Sequence, residues 1–232
     1  MIEYVTQTGS TSADLAARLR AGEHVPEGHW LVADRQTAGR GRQARIWTDG
    51  AGNFMGSCLV HLRLGDPAPA SLALLAGLVL HEVLAPMLPA PHRAMLKWPN
   101  DLLIGGAKLA GILLEVQNGA VIVGIGVNLA QAPDIADRAT VSLAALGVAP
   151  ARDAFAQALA RQFDLELERW RNFGLAPIVN RWLVAAHPPG TRLCADGQQG
   201  TFAGLSAEGN LQLRLADGAT RTIHAGEVNL LD

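Results

Sequence analysis

Between residues 94 and 129 the chain carries four short apolar runs joined by links too short for anything but antiparallel neighbours. The run at 102–104 is separated from the run at 109–116 by a turn built on Gly105-Gly106, and 120–129 follows Asn118-Gly119. Gly-Gly and Asn-Gly pairs supply the positive-φ turns of hairpins, whereas a parallel connection needs a crossover of about a dozen residues or more. The first run, 94–98, is held extended by Pro99, because a residue that precedes proline is pushed out of the helical region. These features predict a run of adjacent, mostly antiparallel strands.

Elements that would cover such a sheet lie on either side. Residues 11–21 read as a short helix, with Leu15 and Leu19 four apart and Thr11 and Asp14 spaced as a capping box. Residues 29–33 and 54–64 are strand-like, and 151–173 forms the clearest amphipathic helix, with Phe155, Leu159, Phe163, Leu167 and Trp170 on one stripe. A second helix at 176–186 stops at Pro188-Pro189-Gly190. Beyond it the texture changes to short β-type runs at 192–195, 200–205, 211–215 and 220–224, separated by Asp-Gly and Glu-Gly-Asn turns. The expectation is a catalytic-sized domain over 1–187 and a small SH3-like β-barrel over 188–232.

Composition narrows the function classes. The chain is 49% hydrophobic and 17% charged, far from a disordered composition, and its net charge of −2 lacks the basic field that bulk nucleic-acid or membrane-surface binding needs. The Leu- and Ala-rich stretch 71–90 is long enough to resemble a membrane span, but His81 and Glu82 sit inside it and Pro86 and Pro89 break it. A charge at that depth costs ~2.5–3.5 kcal/mol, so a buried core helix over 71–84 is expected. Cys58 and Cys194 form no C-x-x-C pair and no disulfide framework, and no apolar signal core opens the chain. A cytoplasmic protein is expected, with neither nucleic acid nor membrane as partner.

Three constellations could carry chemistry. Residues 35–53 are polar, glycine-rich and without periodicity, and Arg35, Arg40, Arg42 and Arg45 fall within eleven positions before any acidic residue appears at Asp49. Gly39-Arg40-Gly41-Arg42 alternates backbone freedom with guanidinium forks suited to phosphate or carboxylate. The bland alternative is a solvated basic loop. Lys97-Trp98-Pro99-Asn100-Asp101-Leu102 and Lys108-Leu109-Ala110-Gly111-Ile112 form the second. Asn100 and Asp101 could simply make a turn, but Lys108 enters an apolar run where a lysine without a partner is costly, and an anionic ligand would supply one. Third, Gly124-Ile125-Gly126-Val127-Asn128 ends an apolar strand. It fails as a dinucleotide fingerprint, and small residues admitting another backbone are the plain reading. No Walker A lysine, G-x-S-x-G elbow or H-E-x-x-H pair occurs, and the seven histidines are scattered, so no tightly bound metal is expected.

Taken together and in this order, these segments resemble the biotin protein ligase family. Gly9-Ser10-Thr11-Ser12, Gln36-Thr37-Ala38-Gly39-Arg40-Gly41-Arg42, Trp47, Gly52-Asn53, the Lys97 and Lys108 motifs and Gly124 to Leu129 carry the likeness, and residues 190–231 are similar to the family's small C-terminal barrel. The resemblance implies an α/β (α+β) fold with a central mixed, mostly antiparallel sheet and helices on one side, like that of class II aminoacyl-tRNA synthetases, rather than a Rossmann sheet. It also implies a ligase that activates biotin with ATP to biotinyl-5′-AMP and transfers it to a lysine of a biotin carboxyl carrier domain. By the same resemblance Ser10, Thr11, Gln36, Gly39, Arg40, Lys108 and Gly111 would bind biotin. Arg40, Arg42, Trp47, Asn100, Lys108 and Asn128 would bind ATP or the adenylate. Arg40, Lys108 and Asp101 would be catalytic, with Asp101 an indirect partner of the Mg²⁺ that accompanies ATP. A homodimer is left open.

Two departures matter. Gly9-Ser10-Thr11 stands almost at the start, which resembles the short, non-regulatory class rather than members that carry an N-terminal helix-turn-helix. Phe54-Met55-Gly56-Ser57 differs from the family's usual aromatic-rich form. Lipoate ligase or octanoyl transferase is the nearest rival, and the pairing of the Gly-Arg loop with Lys-Trp-Pro-Asn-Asp speaks against it. A non-catalytic biotin or nucleotide sensor would not need Arg40, Lys108 and Asp101 together.

Overall fold

The computed structural model describes residues 1–136 and 138–231. The strands are β1 (Ile2–Thr8), β2 (Trp30–Gln36), β3 (Phe54–His61), β4 (Ala94–Lys97), β5 (Asp101–Ile104), β6 (Ala107–Gln117) and β7 (Ala120–Val127), then β8 (Arg192–Ala195), β9 (Gln198–Leu205), β10 (Leu211–Arg214), β11 (Thr220–Ile223) and β12 (Val228–Leu230). The α-helices are α1 (Thr11–Arg20), α2 (Leu72–Leu84), α3 (Arg152–Phe173) and α4 (Ala176–Ala185). The first seven strands make one sheet in the order β1-β2-β3-β7-β6-β5-β4, antiparallel throughout except for the parallel β1–β2 edge. β1 escapes a reading by pattern because it is a half-exposed edge strand whose polar residues blur the alternation. The hairpins form as the turn chemistry requires: Gly105 and Gly106 sit at φ 57 and 80, Asn118 and Gly119 at φ 49 and 76.

Side chains of β7 divide the interior. Val121, Val123, Ile125 and Val127 face a large core shared with α2, α3 and α4, where the aromatic stripe of α3 is buried. Ile122 faces the other way and packs with Leu31 and Leu59 against Leu15 and Leu19 of α1. Helices therefore cover both faces, not one as expected. The small apolar stripe of α1 accounts for this, since it buries only against the β2–β3–β7 part of the opposite face. The stretch Pro69–Met87 is apolar and long enough to cross a bilayer by composition alone, yet α2 within it is buried against α3, α4 and the sheet.

The last five strands form a second sheet, β11-β10-β9-β8-β12. Among the described residues no ladder joins its edges β11 and β12, so it is an open sheet rather than the closed barrel expected. After β11 the chain crosses through Gly226, at φ 140, to pair β12 with β8 on the far edge. That crossing points Glu227 toward the arginine-rich loop. Leu193, Phe202, Leu211 and Leu213 join the same buried cluster as α2–α4, and the Trp98 indole N–H donates to the Gly209 carbonyl at 3.0 Å.

Candidate active site

On the face that α1 leaves uncovered, the sheet carries few large side chains. In register, Gly124 pairs with Ser57 on one side and Leu113 on the other, and Gly126 with Met55 and Gly111. The two glycines of β7 make room for side chains rather than for a backbone, which corrects the plain reading of the Gly-Ile-Gly-Val-Asn segment. A Cβ on Gly126 would stand 2.2 Å from Cε2 of Trp47, and one on Gly124 2.6 Å from Ser12 Oγ. Above this floor lies a cavity of about 840 Å³ walled by the N-terminus of α1, the 40–48 loop, the Lys97 to Lys108 hairpin and β12. Its size falls in the usual ~300–1,000 Å³ range of small-molecule sites.

One end is polar and uncharged. Ser10 caps α1, its hydroxyl accepting from Ala13 N–H at 3.4 Å, so the cap is Ser10 and not Thr11 as the capping-box spacing suggests. Asp14 instead accepts the Thr8 hydroxyl, and Thr11 is released to Gln36, whose Oε1 accepts its N–H at 2.7 Å and its hydroxyl at 3.1 Å. Ser57 and Ser12 continue the cluster at 2.7 and 2.8 Å. Ser10, Thr11, Ser12, Gln36 and Ser57 are all buried.

The other end is cationic. Lys108 Nζ lies 2.5 Å from Asp101 Oδ1, and Lys97 Nζ 3.4 Å from Oδ2. The partner that Lys108 requires is thus a carboxylate of this chain, brought opposite by β5–β6 pairing. Burial pulls the Lys108 pKa below the ordinary lysine value, against the pull of Asp101. Burial would raise Asp101, but Lys108 and Lys97 outweigh it and hold the carboxyl below its ordinary range. Both Asp101 oxygens face ammonium groups, and among the described residues no group of three His, Cys, Asp or Glu could hold a metal ion.

Three of the four loop arginines, Arg40, Arg42 and Arg45, line the cavity, while Arg35 extends β2 and pairs with Asp49 outside it. The acids missing from the loop come from elsewhere. Arg40 makes a forked pair with Glu115 of β6 at 2.8 and 2.9 Å, and Arg45 reaches Glu227 at 2.6 Å across 182 positions. Arg42 is held by neutral oxygens, Asn100 Oδ1 and Gly226 O, each at 3.1 Å. Asn100 also donates to Ile112 O at 2.8 Å, so it is both a turn residue and the loop's anchor. Trp47 lies on Gly111 and Gly126, with Lys108 Nζ 5.8 Å from its ring centroid. Gly39 stands beside the cavity, where a Cβ would come within 2.6 Å of Trp47 O. Asn128 donates to Val141 O at 3.2 Å while its buried Oδ1 has no protein partner.

The site residues expected from sequence therefore converge on one cavity, with Gly39 at its rim. Sequence reasoning missed Ser57, Glu115 and Glu227, and with them Arg138, which lines the cavity 3.5 Å from the Glu227 carboxylate. Only Ser57 left a signal, as a polar residue inside an apolar strand.

Residues 6–131 match the family model described as the biotin/lipoate A/B protein ligase family, and residues 195–231 match that of the biotin protein ligase C-terminal domain. The chain is 37% identical to a biotin–[acetyl-CoA-carboxylase] ligase of Paracoccus denitrificans, over 97% of this chain and 98% of that one. It is 43% identical over 176 residues to the Mycobacterium tuberculosis protein of the same name, covering 74% of this chain and 65% of that one. In structure it is similar to a biotin protein ligase from Aquifex aeolicus in complex with biotin and ATP, with TM-score 0.86, 26% identity, and coverage of 99% of this chain and 98% of that one.

Proposed function

This chain belongs to the biotin protein ligases of the biotin/lipoate A/B protein ligase family, and from that premise we propose that it joins biotin to ATP as biotinyl-5′-AMP and passes the biotinyl group to a lysine of a biotin carboxyl carrier domain. The observation that carries this reading is the polarity of the cavity. A floor of uncharged hydroxyls and an amide suits a neutral cyclic urea, and the opposite end, with Lys108, Lys97 and three arginines, suits a carboxylate and phosphates.

In the first step the biotin carboxylate attacks the α-phosphorus of ATP, the new C–O–P anhydride forms, and pyrophosphate leaves. Negative charge builds on the phosphoryl oxygens, and Lys108, already oriented by Asp101, is the preorganised cation that meets it. Mg²⁺ arrives with the ATP phosphates as part of the substrate rather than in a protein cage. In the second step the carrier amine attacks the acyl carbon and AMP departs. Arg40 and Arg42 hold the adenylate through the loop and keep water from it. On this reading residues 1–187 carry the chemistry and 188–232 anchor the loop through Gly226 and Glu227. The unpaired Cys58 and Cys194 support a cytoplasmic setting.

The test is incubation with biotin, Mg-ATP and an apo carrier domain, followed by streptavidin blotting and pyrophosphate measurement. Labelling of one carrier lysine is expected. Equal or better turnover of lipoate or octanoate would overturn the reading.

A further inference from the structure

Four buried polar side chains on the cavity floor form a line whose proton order follows from distances alone. Thr11 N–H donates to Gln36 Oε1 at 2.7 Å, so the amide oxygen, not the nitrogen, faces α1. The Thr11 hydroxyl stands 3.1 Å from that same oxygen, and only by donating does it avoid setting lone pairs face to face. A hydroxyl has one proton. In the 2.7 Å contact with Ser57, Thr11 must then accept and Ser57 donate. With its own proton spent, Ser57 accepts from Ser12 at 2.8 Å. The protons run one way, from Ser12 through Ser57 and Thr11 to Gln36, and burial of all four limits rearrangement by bulk water.

This order decides what the floor offers a ligand. Ser12 has committed its proton and keeps only lone pairs. Gln36 has its oxygen engaged twice and keeps the N–H groups of Nε2. The Thr11 N–H alone holds the Gln36 amide, whereas Ser57 is the link that commits the Ser12 proton and fills the Thr11 lone pair. β3 places Ser57 opposite Gly124, whose missing Cβ leaves the space that Ser12 Oγ fills.

We propose that Ser57 is a specificity-determining residue of this pocket: by taking the proton of Ser12 and giving its own to Thr11, it sets which floor groups accept and which donate, and so selects a cyclic urea over a head group of the same shape that carries N–H groups in place of the carbonyl. The proposal rests on the biotin reading above. It gives Ser57 a role beyond satisfying its own burial, because a hydroxyl that merely fills space would not alter the choice between two isosteric ligands.

The probe pair is biotin and 2-iminobiotin, in which C=NH replaces C=O and is protonated at neutral pH to a guanidinium, a head group of the same shape that only donates. Initial rates of pyrophosphate release give kcat/KM for each with the unsubstituted chain, Ser57→Ala and Ser57→Cys. Removing the Ser57 hydroxyl frees a lone pair on Thr11 to accept an N–H donor and releases the proton of Ser12, so the floor loses the single order that matches a urea. The preference for biotin should fall roughly tenfold in Ser57→Ala, mainly through a higher KM for biotin, and by less in Ser57→Cys, whose thiol is a weaker donor of similar shape. Should Ser57→Ala not fold, the near-isosteric Ser57→Cys carries the test. A preference that stays within about twofold of the unsubstituted chain in a variant that folds and turns over biotin overturns the role of Ser57 alone. An unsubstituted chain that releases no pyrophosphate with biotin overturns the reading of the reaction first.

Discussion

Lys108 and Asp101 form an ion pair of 2.5 Å with side chains only 14% and 8% exposed, and the ammonium end opens on the cavity. Removing a preorganised donor of this kind costs about 2.7–4 kcal/mol, or ~10²–10³ in rate. Lys108→Ala should therefore lose pyrophosphate release by that factor. Transfer from synthetic biotinyl-AMP to a carrier lysine should recover, measured by streptavidin blot. Inactivity with the preformed adenylate would mean that Lys108 also serves the transfer step.

Asp101→Asn tests the same pair from its other side. Lys108 acts as an ammonium, and burial already sets its pKa below the ordinary lysine value while Asp101 resists that shift. Activity dependent on Lys108 is present below its pKa and lost as pH rises through it. Neutralising Asp101 removes the resistance, so the alkaline limb of the adenylation profile should move to lower pH. An unmoved limb in the pH dependence of kcat/KM would show that another group sets it.

Arg40 is held at the cavity by its pair with Glu115, on a loop anchored at Asn100, Gly226 and Glu227. Arg40→Ala should retain the adenylate poorly. Biotinyl-AMP would then escape and label arbitrary lysines of an added bystander protein, which a streptavidin blot detects. Loss of rate without bystander labelling would count against a retention role.

Gly126→Ala places a Cβ 2.2 Å from the Trp47 indole. The ring must leave the floor. Adenylation should drop ~10-fold or more, because loop placement over the ligand is disturbed, while the thermal unfolding midpoint shifts little. Unchanged kinetics would mean that Trp47 is not needed where it lies.

Far from the cavity, Glu27 receives both ends of the Arg171 guanidinium at 2.7 Å, and Arg171 is 6% exposed. The Arg171 hydrogen bonds hold the Glu27 carboxyl below its ordinary value. That stabilisation is complete above the unfolded-state pKa of Glu27 and is lost as pH falls through the lower folded value. Glu27→Gln should lose about 2–3 kcal/mol at neutral pH and show a shallower acid limb in urea unfolding.

Much of the sheet was legible because hairpin turns and helix stripes are short-range signals. Asn118-Gly119 dictates the β6–β7 turn by its own backbone preferences, and Phe155 to Trp170 announce α3 by spacing. β1 was not legible, since an edge strand buries too little to impose an alternation. The Thr11–Asp14 spacing pointed to the wrong cap because Ser10 and Thr11 compete for one role, and the tertiary pull of Gln36 on Thr11 settles it.

By itself the sequence determined the antiparallel hairpins, the helices, the change of texture after Pro188-Pro189 and the chemistry of the Gly-Arg and lysine motifs, all of which are written within a few residues of one another. Tertiary structure alone decided which partners those motifs meet. Ser57, Gly124 and Gly126 share a face only once the register of β3 on β7 is set, since a slip of one residue would turn each to the opposite side. Glu227 meets Arg45 across 182 positions because the chain crosses the second sheet before β12. Pair energies act over a few ångströms of space, and the order of residues along the chain carries no measure of that distance until the sheet has formed.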